Sequence, residues 1–168
     1  MYKKLYNFNW LFIFLLVILA SIGFMALFSA AESNFNPWAK KQIIRFLIFI
    51  ILLFIIAFVD IRVWYKYSYH LFIIFILLLL SVEVFGIFGF GARRWIRVFG
   101  LSIQPSELIK VSIILALAKF YHNVRIDKIG QIRNLFVPLI IIIIPFILII
   151  LQPDFGTAIT IILLGIIM

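Results

Sequence analysis

Three arginines flank a tryptophan in a chain that is otherwise mostly hydrocarbon: Arg93, Arg94, Trp95 and Arg97. Charges in or against a membrane are costly, and they are usually kept for ions, substrates or a partner charge. A planar guanidinium offers paired N–H donors to phosphate oxygens, and a neighbouring aromatic ring suits a head group at a membrane surface. The residues alone leave two readings open. The cluster takes a phosphate- or pyrophosphate-bearing head group, or it meets anionic phospholipid and loop carboxylates.

Gln104-Pro105-Ser106-Glu107 reads as a helix start, with Pro at the first helical position and Glu107 complementing the positive end of the dipole. Lys110 lies one turn further in, and the i,i+3 spacing places it on the face of Glu107, where the two can pair. Such a pair either lines a site or only stabilises the bundle. Gln152-Pro153-Asp154-Phe155-Gly156-Thr157 is a second polar element, a turn between apolar runs in which Thr157 can cap the next helix. Asp154 is expected on the same side as Arg93 and Glu107, close to one external cavity. Glu83 and Arg45 are expected to be buried partners in neighbouring spans.

These residues need membrane-spanning elements to hold them. Two thirds of the residues are hydrophobic (67%) and 12% are charged, too little polar surface for a soluble domain of 168 residues. The expected class is an all-α polytopic integral membrane protein. Reading apolar runs as spans gives five complete helices, 10–30, 43–59, 71–88, 105–120 and 135–151, and a sixth, 158–168, that is cut short. At about 1.5 Å per residue that last run reaches about 17 Å, against a hydrocarbon core of about 30 Å. The expectation is therefore residues 1–168 as the N-terminal part of a single transmembrane domain. Pro138 and Pro145 predict kinks in the fifth span. The first span is read as a retained helix rather than a signal peptide.

The net charge of +9 fits basic residues flanking spans, and no nucleic-acid-binding motif accompanies it. Lys3, Lys4, Arg62, Lys66, Lys119, Arg125, Lys128 and Arg133 then face the cytoplasm, with the N-terminus inside. Lys40, Lys41, Arg45 and the arginine cluster face outward. Trp10, Trp38, Trp64 and Trp95 fall near interfaces. The absence of cysteine removes disulfides and thiolate metal sites, and His70 and His122 read as interfacial residues, so no metal site is expected. No cofactor is evident; a divalent cation is compatible with the site without being specified by it.

Taken together, the motifs resemble those of the SEDS family (shape, elongation, division and sporulation), across essentially the whole chain. Gly91-Ala92-Arg93-Arg94-Trp95-Ile96 is similar to the family's G-A-x-R-W-I element. Gln104-Pro105-Ser106-Glu107-Leu108 with Lys110 is similar to Q-P-S-E-L-x-K, and Gln152-Pro153-Asp154-Phe155-Gly156-Thr157 to Q-P-D-x-G-T. Asn9-Trp10 and Val59-Asp60-Ile61-Arg62 resemble the RodA branch more than the FtsW branch. The resemblance implies a ten-helix bundle and a peptidoglycan glycosyltransferase that polymerises lipid II outside the bacterial cytoplasmic membrane. A class B penicillin-binding protein and membrane lipids are the implied partners. Glu107 and Lys110 would then be the family's buried pair, with Arg93, Arg94 and Trp95 at the external cavity and Asp154 supporting its rim; Arg97, next to that motif, is a further cavity candidate. The family's catalytic aspartate would lie beyond Met168, so the catalytic residue is expected outside this chain. Two other classes compete, a lipid II flippase or transporter and a non-catalytic membrane scaffold.

Overall fold

The computed structural model describes residues 9–89, 92–98, 101–125 and 131–168. The expectations placed on Lys3, Lys4, Gly91 and Lys128 lie outside the described residues. Contacts divide the chain into two compact units, Met1–Asp60 and Ile61–Met168.

In the first unit, α1 (Trp10–Ala30) starts where the Asn9 side chain accepts a hydrogen bond from the Phe12 N–H at 3.1 Å, filling one of the orphan donors of a helix N-terminus. The chain leaves α1 through Glu32 and Ser33 at φ 53° and 62°, and Ser33 N–H donates to the Phe28 carbonyl. A short turn, Phe35–Ala39, leads into α2 (Lys40–Phe58). Neither α1 nor α2 contains a buried residue. α1 is apolar on all faces, the pattern of a membrane span, whereas α2 carries Lys40, Lys41 and Arg45 in its first turns before its apolar run.

The second unit holds α3 (Ile61–Phe85), a short ribbon, α4 (Pro105–Asn123), α5 (Ile132–Leu151) and α6 (Phe155–Ile167). The ribbon is antiparallel, β1 (Ile87–Gly89), β2 (Ala92–Val98) and β3 (Leu101–Ile103), with β2 in the middle. Leu79, Ile109, Ile113, Ala116, Leu117, Ile141, Ile149, Ala158 and Ile161 form the core shared by the four helices. Ser68, Ser112 and Ala116 are fully buried, and small side chains at such positions let helix backbones approach closely. Each serine hydroxyl is satisfied within its own helix, Ser68 by the Tyr65 carbonyl and Ser112 by the Ile109 carbonyl. Gly165 serves the same end, since a Cβ there would lie 2.5 Å from Ile142 Cδ1.

Among the described residues, four helices are long and apolar enough to cross a membrane: Trp10–Ala30, Phe35–Phe58, Ile61–Phe85 and Asn134–Leu151. The run 105–120, expected as a span, is part of the 19-residue α4, which is set apart by Glu107, Lys110 and Lys119. The third span was expected to start at 71, but α3 starts at Ile61. Its first turns look like a loop because Arg62, Lys66 and three tyrosines break the apolar run. They are helical because they pack on the end of α4. Lys119 donates to the Lys66 carbonyl at 2.9 Å and sits 5.2 Å and 4.8 Å from the Tyr65 and Tyr69 ring centres. The Tyr65 hydroxyl donates to Asn123 at 2.8 Å. His122 and His70 stack edge-on against Tyr65 and Tyr67 at this same end.

The expected burial of Glu83 and Arg45 is not found. Both are exposed, each on a helix whose apolar residues alone give it a span.

Candidate functional site

At the opposite end of the second unit from Lys119, the three polar motifs meet. The α5–α6 corner is closed by two N–H groups, those of Gln152 and Asp154, both donating to the Ile149 carbonyl at 3.1 Å and 3.2 Å. Asp154 then caps α6. Its side chain accepts from the Thr157 N–H at 3.4 Å and from the Thr157 hydroxyl at 2.9 Å. The cap is therefore Asp154 and not Thr157, because the first-turn N–H groups need an acceptor and a carboxylate supplies the stronger one.

Further donors reach the same carboxylate from other elements. Gln104, just before α4, donates through Nε2 at 3.0 Å, and the Ser106 hydroxyl lies at 3.5 Å. Arg94 Nη1 is 3.9 Å from Asp154 Oδ1. The guanidinium also donates to the two carbonyls before Asp154, Gln152 through Nε at 3.2 Å and Pro153 through Nη2. Behind the corner, the buried Gln152 side chain donates to the Leu79 carbonyl of α3 at 2.9 Å. A cation thus sits at the negative end of α5 and an anion at the positive end of α6, each complementing a helix dipole.

This arrangement limits what Asp154 can do. A carboxylate has roughly four lone-pair positions; here Oδ2 is met by Gln104, Ser106 and the Thr157 hydroxyl, and Oδ1 accepts from the Thr157 N–H with the Arg94 guanidinium beside it. A general base needs an open lone pair aimed at the hydroxyl it deprotonates. Asp154 is 8% exposed, and three donors already meet its Oδ2. Its contacts are those of a carboxylate that joins neighbouring elements.

The strand period separates the arginines. Along β2, residues 93, 95 and 97 are exposed while 94 and 96 are half-buried, as alternation on a strand requires. Arg94 turns to the corner. Arg93 ties the ribbon to the end of α3, its Nη1 donating to the Glu83 carbonyl at 3.1 Å. Trp95 stands opposite Ile87 across the ribbon, and Arg97 opposite Ser102. Arg97 makes no side-chain hydrogen bond or ion pair among the described residues.

Glu107 and Lys110 pair at 2.8 Å, on one face of α4. The pair is not buried, however: the Glu107 side chain is 56% exposed and Lys110 22%. The covered face of α4 runs through Ile109, Ser112, Ile113, Ala116 and Leu117, and Glu107 lies off it. Sequence reasoning missed Gln104, Ser106 and Gln152 as members of the corner. Their only local signal was that each stands beside a proline, where a side chain near a helix end is free to reach a neighbouring element. Among the described residues no three His, Asp or Glu side chains gather as a metal centre would need.

The cell cycle protein family model of FtsW, RodA and SpoVE matches residues 4–168. The chain belongs to this family. It is 35% identical over 176 residues to a probable peptidoglycan glycosyltransferase FtsW of Geobacter sp. (strain M18), covering 99% of this chain and 48% of that protein. Its fold matches the rod shape determining protein RodA of Thermus thermophilus with a TM-score of 0.81 and 30% identity, covering 92% of this chain and 50% of that one. It matches equally, at 0.81 and 29% identity, a chain of a peptidoglycan synthase complex that coordinates polymerization and crosslinking, covering 93% of this chain and 45% of that one. The chain thus spans about half the length of these relatives. Similarity extends to both the FtsW and RodA members of the family, which are polytopic membrane proteins like this chain.

Proposed function

We propose that these residues form the N-terminal half of a RodA-like peptidoglycan glycosyltransferase, and that the two compact units belong to one transmembrane domain. Its substrate is lipid II, polymerised into glycan strands at the outer face of the bacterial cytoplasmic membrane, with the N-terminus cytoplasmic. A class B penicillin-binding protein is its crosslinking partner. The observation that carries this reading is the convergence of the three motifs at one end of the second unit, leaving Arg93, Trp95, Arg97 and the Glu107–Lys110 pair open beside a rigid corner.

The chemistry divides accordingly. An acceptor sugar hydroxyl attacks the anomeric carbon, a base takes its proton, and the bond to the pyrophosphate oxygen breaks with its electron pair leaving on that oxygen. Cationic donors placed where that charge develops lower the barrier. Arg97 and the open edge of Arg93 supply such donors, and Trp95 gives the head group a flat apolar wall. The base is assigned to the family's aspartate beyond Met168, so these residues alone are expected to be inactive.

The placement of charge favours polymerisation over transport. In the second unit, charged residues gather towards the two ends of the helices, and the stretches 67–82, 111–118 and 134–151 contain none. A head group crossing the bilayer would need polar partners along those stretches.

The test is lipid II polymerisation by the full-length protein in liposomes, beside a translocation assay. Glycan strands formed by the wild type, and lost in Trp95→Ala, are the expected result. Translocation without polymerisation would overturn the reading.

A further inference from the structure

Arg94 belongs to the same motif as Arg93 and Trp95, with Arg97 just beyond it, and the resemblance would place Arg93, Arg94 and Trp95 at the external cavity. Its surroundings give it another role. We infer that Arg94 is a positioning residue, a clamp that fixes the ribbon to the α5–α6 corner and thereby sets where Arg93, Trp95 and Arg97 stand. This rests on the proposed polymerase reading for its catalytic consequence, though the clamp itself does not.

Three observations carry the inference. The guanidinium donates through Nε and Nη2 to the Gln152 and Pro153 carbonyls, and its Nη1 lies 3.9 Å from Asp154, so three of its contacts are with the corner. It lies on the half-buried face of β2, whereas residues 93, 95 and 97 lie on the exposed one. Its partner Asp154 is held in turn by Gln104, Ser106 and Thr157. Through Gln152 the corner also reaches Leu79 in α3. One side chain therefore ties a short ribbon to a network that touches all four helices of the unit. A two- or three-residue strand pairing has little stability of its own, so the ribbon takes its position from what it is tied to.

The planar fork is needed. Arg can reach two carbonyls and a carboxylate at once, and an ammonium in its place is a single compact charge. Arg94→Lys keeps the charge and loses the fork, which separates a clamp from a plain cation for the substrate.

The experiment uses full-length protein in nanodiscs with two readouts. In lipid II polymerisation, Arg94→Lys and Arg94→Gln are expected to lower kcat about 10²-fold, the scale of a small misplacement of reacting groups, with KM within about twofold. Arg97→Gln instead raises KM about tenfold, as loss of a charged hydrogen bond to substrate does. Arg94→Gln combined with Asp154→Asn is no worse than the lower single variant, because the two act as one unit. In amide hydrogen exchange, which needs no activity, Arg94→Gln speeds exchange across 92–98 and leaves 70–80 of α3 unchanged.

A rise in KM for Arg94→Gln matching that for Arg97→Gln, or full rescue by Arg94→Lys, overturns the inference. So does unchanged exchange across 92–98. If the wild type does not polymerise lipid II, the polymerase reading fails, and the exchange result alone decides the clamp. Unfolding of Arg94→Gln throughout the chain leaves Arg94→Lys as the deciding variant.

Discussion

Two carboxylates at the same end of the second unit are used in opposite ways. Asp154 is 11% exposed at its side chain, accepts from donors on α6 and beside α4, and faces the Arg94 guanidinium of the ribbon at 3.9 Å. Glu107 is 56% exposed and, among the described residues, its side chain has one partner, Lys110, on its own helix. Both stand in motifs of similar appearance, a proline followed closely by an acid. The difference is position: Asp154 precedes a helix at a corner where three other elements converge, while Glu107 sits inside the first turn on an uncovered face. A motif acid is architectural where donors from several elements meet it, and available for chemistry where only its own helix does.

The sharpest way to break this contrast is Asp154→Ala. It removes the α6 cap, leaves Arg94 without its counter-charge and strands the Gln104 side chain. The expected loss is roughly 3 kcal/mol, combining a lost cap with charge-assisted bonds inside the protein. Equilibrium unfolding of the full-length protein in mixed micelles measures it. A loss below about 0.5 kcal/mol, the level of an ordinary surface change, would mean that the corner holds itself together without the carboxylate.

A smaller effect is expected at the other end of the helix pair, where α3 and α4 are joined through Lys119. That junction uses one carbonyl bond and two aromatic faces in place of a buried carboxylate. Lys119→Met keeps the length of the side chain and loses the charge. About 1 kcal/mol is the expected cost, since exposed cation–π contacts contribute roughly 0.5–1 kcal/mol. If the same unfolding measurement shows Lys119→Met as costly as Asp154→Ala, the two ends are equivalent and the corner is not special.

The sequence reveals some of this and hides the rest for physical reasons. Long apolar runs such as those of α1 and α5 can be read directly, because burial in lipid demands them. The Glu107–Lys110 pairing follows from helical spacing, which is local. The start of α3 at Ile61 is hidden, because its polar first turns are made helical by Lys119 and Asn123, more than fifty residues away. The ribbon is hidden too, since glycines and arginines in 86–100 resemble a loop. Its alternation becomes informative only once a strand is known. Nothing local distinguishes Arg94 from Arg93. The separation depends on where β2 lies against the corner, and Gln104 joins Asp154 across a sequence separation of 50.

The smallest stability effect belongs to the open pair, and it sharpens the contrast most. Glu107→Ala, Lys110→Ala and the double variant form a cycle whose coupling is expected at about 0.5 kcal/mol or less, as for other exposed i,i+3 pairs. A larger value would require an enclosed charge, and the Glu107 side chain is more than half exposed. If polymerisation nevertheless falls steeply in each single variant while stability barely moves, the pair acts on substrate or partner and not on the fold. A coupling near about 3 kcal/mol, the scale of a broken buried pair, would mean that the complete protein covers this face of α4. Glu107 would then join Asp154 as an architectural carboxylate.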